Sequence, residues 1–335
     1  MEQQKSSVPR SVDPPLASAS PAKPPAEAIP NAAVSDAVTE KERATDHSKE
    51  RCKGVLLVTC ADPTLAAVAV AAIVNGIHTN GTIANLPIGP VSEIEFLHSP
   101  GLRDANSVKS YASKDVQAGK LQILSIRHCR RFNPLCSSGV PHMMRHVNSG
   151  TCVLAMVDYR DLTRDDAVAA LVDLNAEAVE CGALVVIYVQ HTKKQDVTWL
   201  RDYCMAAVEV RKCEPGPGAP VAITLDNLTL ASDHMLGVGR VTIEVFRAPD
   251  GGWTYQPEPF IAERAVIRLA WYLAHEGMKL RDIAKIAGIA ASNISRGFQS
   301  LLIQPKNAAS LAPPADWRTR WACRYDLAAD NPDVK

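Results

Sequence analysis

Short apolar runs alternate with longer segments of helical character along the first two thirds of the chain. The clearest apolar runs lie at 54–59, 152–157 and 183–189. Continuous runs of this length, bounded by turn residues, are typical of strands that are buried on both faces of a sheet. The segments at 64–74 and 164–180 have the length and apolar content of helices that lie between such strands. The pattern predicts an α/β fold with a mostly parallel sheet and helices on both faces.

Beyond residue 200 the pattern becomes that of consecutive strands without helices between them. Strands are predicted near 206–211, 219–225 and 241–246, followed by a hairpin at Asp250-Gly251-Gly252. Additions of this kind commonly extend one edge of a sheet. We therefore expect antiparallel strands beside the parallel ones.

The pattern turns helical again at 263–275 and stays so through Leu280–Gln299. In that second segment, apolar and small residues fall where two short helices have to touch, and Gly288 lies where a tight turn needs a residue tolerant of positive φ. The residues expected to fill the shared core are Ile283, Ala284, Ala287, Ile289, Ile294 and Phe298. The sequence predicts a helix, a turn and a second helix that starts near Ala290 or Ala291.

This segment resembles the helix-turn-helix and winged-helix families, with 263–275 as the supporting first helix. The resemblance implies that the second helix enters the major groove of double-stranded DNA and that three basic side chains face the phosphates. The implied DNA-binding residues are Lys279, Arg281, Lys285, Ser292, Asn293, Ser295, Arg296 and Gln299. An ordinary helical hairpin that mediates oligomerisation is the alternative interpretation.

Charge has to be considered segment by segment, since 36 Lys and Arg balance 36 Asp and Glu over 335 residues. Around the two helices, basic residues outnumber acidic ones. The basic set counted there is Arg264, Arg268, Lys279, Arg281, Lys285 and Arg296, against Glu263, Glu276 and Asp282. This local excess favours DNA over the alternative of a plain hairpin.

Composition divides the chain into four parts. Residues 1–50 are rich in Pro, Ala and Ser and predict a disordered leader. We expect an α/β domain at 51–260, an all-α (winged) helix-turn-helix domain at 261–304 and a loosely packed tail at 305–335. No apolar run approaches the roughly 18 residues of a membrane span. Nine single cysteines without a CxxC pair fit reduced thiols in a cytoplasmic protein, and neither a disulfide framework nor a zinc site is expected.

The order of elements in 54–257 resembles the RecA-like ATPase core, and most closely the hexameric plasmid replication helicases. The run Val153-Leu154-Ala155-Met156-Val157-Asp158 matches the strand whose terminal Asp holds the Mg²⁺ water. The run 184–194 resembles a later strand whose His and Lys residues face the nucleotide or the next subunit. The resemblance places a nucleotide site at Asp62, Thr64, Asp158 and His191.

The phosphate loop departs from this family. The family motif G-x-x-x-x-G-K-[ST] supplies backbone amides and a Lys to the phosphates, whereas 59–64 reads Thr-Cys-Ala-Asp-Pro-Thr and has neither Gly nor Lys. Asp62 would repel phosphate, and Pro63 removes an amide donor. The position of the family's catalytic acid, after the second strand, reads Leu97-His98-Ser99-Pro100. The site is therefore predicted to be vestigial, without catalytic residues.

These observations predict a non-catalytic DNA-binding protein that uses no cofactor, a transcriptional regulator or replication accessory. Its inactive RecA-like domain would serve self-association or partner docking, and the helicase likeness implies a mobile-element origin. A dimer and a ring are both compatible with this interpretation. The alternative is an ATP-dependent hexameric helicase with an atypical phosphate loop that uses ATP and Mg²⁺.

Two further patterns leave functions open. The segment His128 to His146 carries Cys129, Cys136 and His142, which suits a metal site only if Pro141 starts a helix. A loop that contacts DNA or a neighbouring subunit is a second interpretation, and a structural loop is the default. An enzyme of another class could use His191 with the acidic residues near 158–166. Asp165-Asp166 are more simply explained as N-terminal charges on a helix.

Overall fold

The computed structural model describes residues 53–88, 91–98, 103–114, 116, 121–125, 132–228, 239–300, 312–325 and 327. The predicted disordered leader, 1–50, lies outside these residues. All the described residues belong to one compact unit, in which the sheet and the C-terminal helices share contacts. A domain boundary at 260/261 stays a prediction.

Eleven strands are present among the described residues. They are β1 (Gly54–Cys60), β2 (Thr82–Ile83), β3 (Leu86–Pro87), β4 (Glu93–His98), β5 (Leu121–Ser125), β6 (Thr151–Asp158), β7 (Leu184–Gln190), β8 (Ala206–Cys213), β9 (Val221–Asn227), β10 (Arg240–Arg247) and β11 (Trp253–Pro259). Strands β2 and β3 form a small pair of their own, and the other nine form one sheet in the order β11-β10-β9-β8-β1-β7-β6-β4-β5.

The sheet is parallel on one side and antiparallel on the other. Strands β8, β1, β7, β6, β4 and β5 pair in parallel, and β9, β10 and β11 extend the β8 edge in antiparallel fashion. Pro257 and Pro259 lie in β11, the edge strand, where a residue without an N–H is tolerated. The mostly parallel sheet and its antiparallel extension are both confirmed.

Eight α-helices are described: α1 (Ala66–Asn80), α2 (Arg103–Tyr111), α3 (Val140–Met144), α4 (Arg164–Cys181), α5 (Ala265–His275), α6 (Leu280–Ala287), α7 (Ala291–Ser300) and α8 (Trp317–Ala322). Turns of 3-10 helix lie at Pro63–Leu65, Tyr159–Asp161 and Thr198–Tyr203. Helix α2 ends at Tyr111, and shortly after it the Ser113 hydroxyl accepts a bond from the Val116 N–H at 3.4 Å.

Helices cover both faces of the sheet, as predicted. Alternate residues of a strand point to opposite faces, and β1 divides accordingly. Leu56 and Val58 pack in one core with helix α1, whereas Val55 and Leu57 pack in a second core with helix α4. All seven residues of β1 are buried, which explains its continuous apolar sequence.

The C-terminal helices form a third core. It contains Ile267 and Leu273 of α5, Ile283 of α6 and Ile294 of α7, and it also contains Trp317 and Trp321 of α8. The tail prediction was therefore wrong for the described part of 305–335, since both tryptophans are at most 5% exposed. After β11 no strand lies among the described residues, and the wing stays a prediction.

A buried ionic cluster joins this helical core to the sheet. Arg268 of α5 donates to Glu244 of β10 at 2.8 Å, and Arg320 of α8 donates to the same carboxylate at 3.1 Å. Tyr272 donates to Glu258 of β11 at 3.0 Å. The cluster explains why Arg268, which the sequence placed on a basic surface, is fully buried. Arg268 cannot contribute to a DNA-binding surface, and that expectation was wrong.

None of the helices among the described residues combines the length and the apolar character that crossing a membrane requires.

Candidate functional site

Helices α6 and α7 form the predicted pair around a tight turn. Gly288 follows α6 in a left-handed conformation with φ of 66°, and its N–H and that of Ile289 both reach the Ala284 carbonyl. This closing pattern suits glycine, which has no Cβ to clash at positive φ. Ile283 and Ala287 are buried, so α6 presents its apolar face to the helical core as the spacing predicted.

Helix α7 begins at Ala291 and separates its residues into two faces. Successive residues are about 100° apart, which puts Ile294 and Phe298 on the side that packs in the core. Ser292, Arg296 and Gln299 lie on the opposite side and are exposed. The structure therefore gathers on one solvent-facing surface three of the α7 side chains that the resemblance to DNA-binding helices singled out.

The remaining predicted residues of α7 flank this surface. Asn293 is exposed and Ser295 is half-buried. The Arg296 guanidinium donates to Asn293 Oδ1 at 2.6 Å and to the Ser292 carbonyl at 3.4 Å. These bonds lie along the helix surface and leave the guanidinium in solvent.

The three basic residues predicted to face phosphates belong to α6 and its start. Lys279 is the N-cap of α6, and Arg281 and Lys285 lie within the helix; all three are exposed. Lys285 is 3.8 Å from Asp282, in a solvent-exposed i,i+3 pair. Such pairs are weak, so Lys285 remains available to another anion.

The second predicted site lies at the carboxyl ends of β1, β7 and β6. These strands are neighbours, and Gln190 is in register with both Cys60 and Asp158. The loops that carry Asp62 and His191 leave the sheet at this same edge, where α/β proteins commonly bind ligands. The structure therefore brings the residues of the predicted nucleotide site to one edge of the sheet, with Asp158 at the end of β6 and the others on the segments that follow β1 and β7.

The loop after β1 is closed by its own side chains. Asp62 Oδ1 accepts bonds from the Thr64 N–H at 2.9 Å and from the Thr64 hydroxyl at 2.6 Å. Asp62 thereby caps the 3-10 turn that leads into α1. These bonds from Thr64 hold the pKa of Asp62 below its usual value, and Lys212 and Lys193 lower it further. An internal carboxylate thus occupies donors that a phosphate loop offers to its ligand.

Asp158 is also engaged within the chain. Both of its carboxylate oxygens accept bonds from the Arg160 guanidinium, the shortest at 2.6 Å, and Oδ1 also accepts the Arg160 N–H at 2.9 Å. The bond to Asp158 raises the pKa of Arg160. A Mg²⁺ water at this carboxylate would have to compete with a positive charge already in contact.

His191 is held at the end of β7 by its backbone. Its N–H donates to the Cys60 carbonyl at 3.0 Å, and its Nδ1 lies 3.0 Å from the Thr192 carbonyl. Gln190 donates to the same Cys60 carbonyl at 2.9 Å. These bonds join the ends of β1 and β7 and give His191 a structural role at this edge.

Only part of the segment His128 to His146 lies among the described residues, and Cys129 lies outside them. Pro141 does fall in the first turn of α3. His146 Nδ1 lies 2.6 Å from Glu95, and the Cys136 thiol donates to the Asn133 carbonyl at 3.2 Å. Over the described ranges, no group of three or more potential metal ligands comes together.

Sequence reasoning did not anticipate Arg160 as the partner of Asp158. It also treated Asp62 only as a repulsive charge, although the pattern Asp-x-Thr signals a local cap. The same pattern recurs at Asp196, which accepts bonds from the N–H and the hydroxyl of Thr198. The signal was therefore present in the sequence for Asp62 but absent for Arg160.

No protein-family model and no curated protein matches the chain. Among solved structures, it is similar to the flagellar accessory protein FlaH from Methanocaldococcus jannaschii, with 9% identity and a TM-score of 0.37 over 61% of this chain and 89% of that chain. It is also similar to the KaiC-like protein PH0186 from Pyrococcus horikoshii OT3, with 12% identity and a TM-score of 0.36 over the same shares. At these TM-scores neither likeness enters the argument about function.

Proposed function

We propose that this chain is a non-catalytic, cytoplasmic protein that binds double-stranded DNA through helix α7. The observation that carries the proposal is the polar, solvent-facing surface formed by Ser292, Arg296 and Gln299 on a helix whose other face is buried. A short helix presented in this way by a second helix and a tight turn has the dimensions to enter a major groove.

The side chains on this surface suit direct contacts to bases. Arg pairs with the O6 and N7 acceptors of guanine, and Asn or Gln pairs with the N6 and N7 groups of adenine. Arg296 and Gln299 are one turn apart and supply one group of each kind. Lys279, Arg281 and Lys285, all exposed on the preceding helix, would contact phosphates and contribute affinity without selecting a sequence.

In this proposal the sheet and the helices that cover its two faces, here called the α/β unit, have no catalytic role. Phosphoryl transfer depends on positively charged groups positioned at the phosphates and on backbone N–H groups that are free to bind the nucleotide. At the corresponding edge Asp62 occupies donors of its own loop, and Asp158 is paired with Arg160. We propose that the unit serves self-association or partner docking in a homo-oligomeric regulator or replication accessory of a mobile element.

A mobility-shift assay on random duplexes tests this proposal. The wild type, Arg296→Ala and Arg145→Ala would be compared at two salt concentrations. Arg145 is an exposed arginine of the α/β unit and matches the loss of charge. We expect the wild type and Arg145→Ala to bind alike and Arg296→Ala to bind more weakly. Equal binding by all three chains would contradict the assignment of α7.

A further inference from the structure

An open cleft of about 520 Å³ lies between helix α7 and the sheet. Arginines from three separate parts of the chain line it: Arg240 at the start of β10, Arg264 immediately before α5, and Arg296 of α7. Asn293 and Glu263 also line the cleft. Because Arg240 is already paired with the Asp226 carboxylate, the local excess of positive charge comes from Arg264 and Arg296 against Glu263 and amounts to one charge.

Arg240 is fixed in place within this cleft. Its Nε donates to the buried carboxylate of Asp226 at 2.8 Å, and its guanidinium lies over the Phe260 ring, 5.3 Å from the centroid. The Asp226 carboxylate holds one edge of the guanidinium and the Phe260 ring covers one of its faces. The orientation of its remaining N–H donors is therefore fixed. The sheet thus contributes a positioned cation beside a helix of the C-terminal core.

Arg264 differs in being exposed. It is the N-cap residue of α5, and its backbone adopts an extended conformation just before the helix. Its side chain is long enough to reach a ligand in the cleft without disturbing the fold. Arg264 can therefore be substituted to test the cleft, whereas Arg240 also neutralises a buried carboxylate.

We infer that this cleft binds a phosphate of the DNA backbone beside the groove that α7 enters; the inference rests on the proposed function. Arg296 and Asn293 belong both to the cleft and to α7, so the cleft is continuous with the exposed surface of that helix. Arginine forks match the geometry of phosphate oxygens. The cleft is open to solvent and adjoins the helix proposed to face DNA. An open cleft suits a phosphate that belongs to a long polymer, whereas a small ligand is usually held in an enclosed pocket.

The test is the salt dependence of DNA affinity in the full chain, by fluorescence anisotropy on a labelled duplex. Each phosphate contact that is lost lowers the slope of log affinity against log salt by about 0.9. We expect Arg264→Gln to lower the slope by about that amount without changing the preferred sequence. Arg247→Gln is the matched control, because Arg247 is an exposed arginine at the other end of β10.

The outcomes separate this inference from the proposed function. An unchanged slope for Arg264→Gln, with Arg296→Ala still weakening binding, would overturn the cleft and leave α7 as the DNA-binding helix. An equal decrease in slope for Arg247→Gln would also overturn the inference about the cleft, because the slope would then depend on the total charge of the protein and not on the position of the arginine. Absence of DNA binding by the wild type would overturn both.

Discussion

Arg268 of helix α5 lies 2.8 Å from the Glu244 carboxylate of strand β10, and both side chains are buried. The Arg268 guanidinium also donates to the Glu214 and Ala262 carbonyls, at 2.8 and 3.2 Å. A buried pair needs this degree of hydrogen bonding to offset the loss of hydration. The helical core is therefore attached to the sheet by a polar contact as well as by packing.

Removing one partner of this pair should destabilise the whole unit. Arg268→Met leaves Glu244 buried with Arg320 as its remaining cation, and loss of one member of a buried pair costs about 3–5 kcal/mol. Urea unfolding would measure the change. Lys114→Met is the control, since Lys114 and Asp250 form a solvent-exposed pair whose loss should change stability little. Equal effects of the two substitutions would contradict the structural role of Arg268.

The second prediction concerns helix α8. Trp321 is 1% exposed and packs edge-on against Tyr272 of α5, with ring centroids 5.9 Å apart. Trp321→Ala should lower the free energy of unfolding by about 3–5 kcal/mol, because it removes a large buried ring. Arg324→Ala, at an exposed position nearby, serves as the control. A loss below about 1 kcal/mol would show that α8 is dispensable for the helical core.

The position of α8 also shows which features of the fold could not be predicted from the sequence. Most of the longer strands and helices of 54–300 were predictable because apolar runs and helical spacing are local signals, whereas the short elements β2, β3 and α3 were not predicted. Trp317 and Trp321 were assigned to a loose tail because their partner Tyr272 lies 45 and 49 residues away from them in sequence. Arg268 was misplaced for the same reason: its partner Glu244 lies on another element.

The residues of the candidate site also divide into those that the sequence could predict and those that it could not. The faces of α7 follow from its own periodicity, so Ser292, Arg296 and Gln299 could be singled out from sequence. Arg240 could not, because only the pairing of β9 with β10 and the packing of α5 bring it beside α7. Contacts within one element were predictable, whereas contacts between elements required the structure.

The third prediction is a pH dependence at Asp62. Its pKa in the folded chain lies below the usual 3.8, chiefly because of the Thr64 hydroxyl. A lowered carboxyl pKa contributes stability above the unfolded pKa, and this stability is lost as the pH falls through the folded pKa. The wild type should therefore be more stable than Asp62→Asn at about pH 6, and the difference should shrink as the pH falls through the lowered pKa of the folded state. A difference that persists unchanged in acid would contradict the Asp62–Thr64 interaction.

The fourth prediction concerns nucleotide. Isothermal titration of the wild type with ATP and Mg²⁺ should give no binding heat, because Asp62 and Asp158 are satisfied by Thr64 and Arg160. A phosphate-release assay with DNA present should show no turnover above a blank. Turnover would favour the ATP-dependent helicase alternative, provided that Asp158→Ala abolished it.

The central claim, that α7 selects a DNA sequence, is tested most directly by selection from a pool of random duplexes. The wild type should enrich a short motif, and Arg296→Ala should relax the preference at one base pair, since a bidentate arginine contributes about 1–3 kcal/mol of discrimination. Lys285→Ala should enrich the same motif with lower affinity, because a phosphate contact carries no sequence information. Failure of the wild type to enrich any motif, or an identical motif from Arg296→Ala, would contradict the claim.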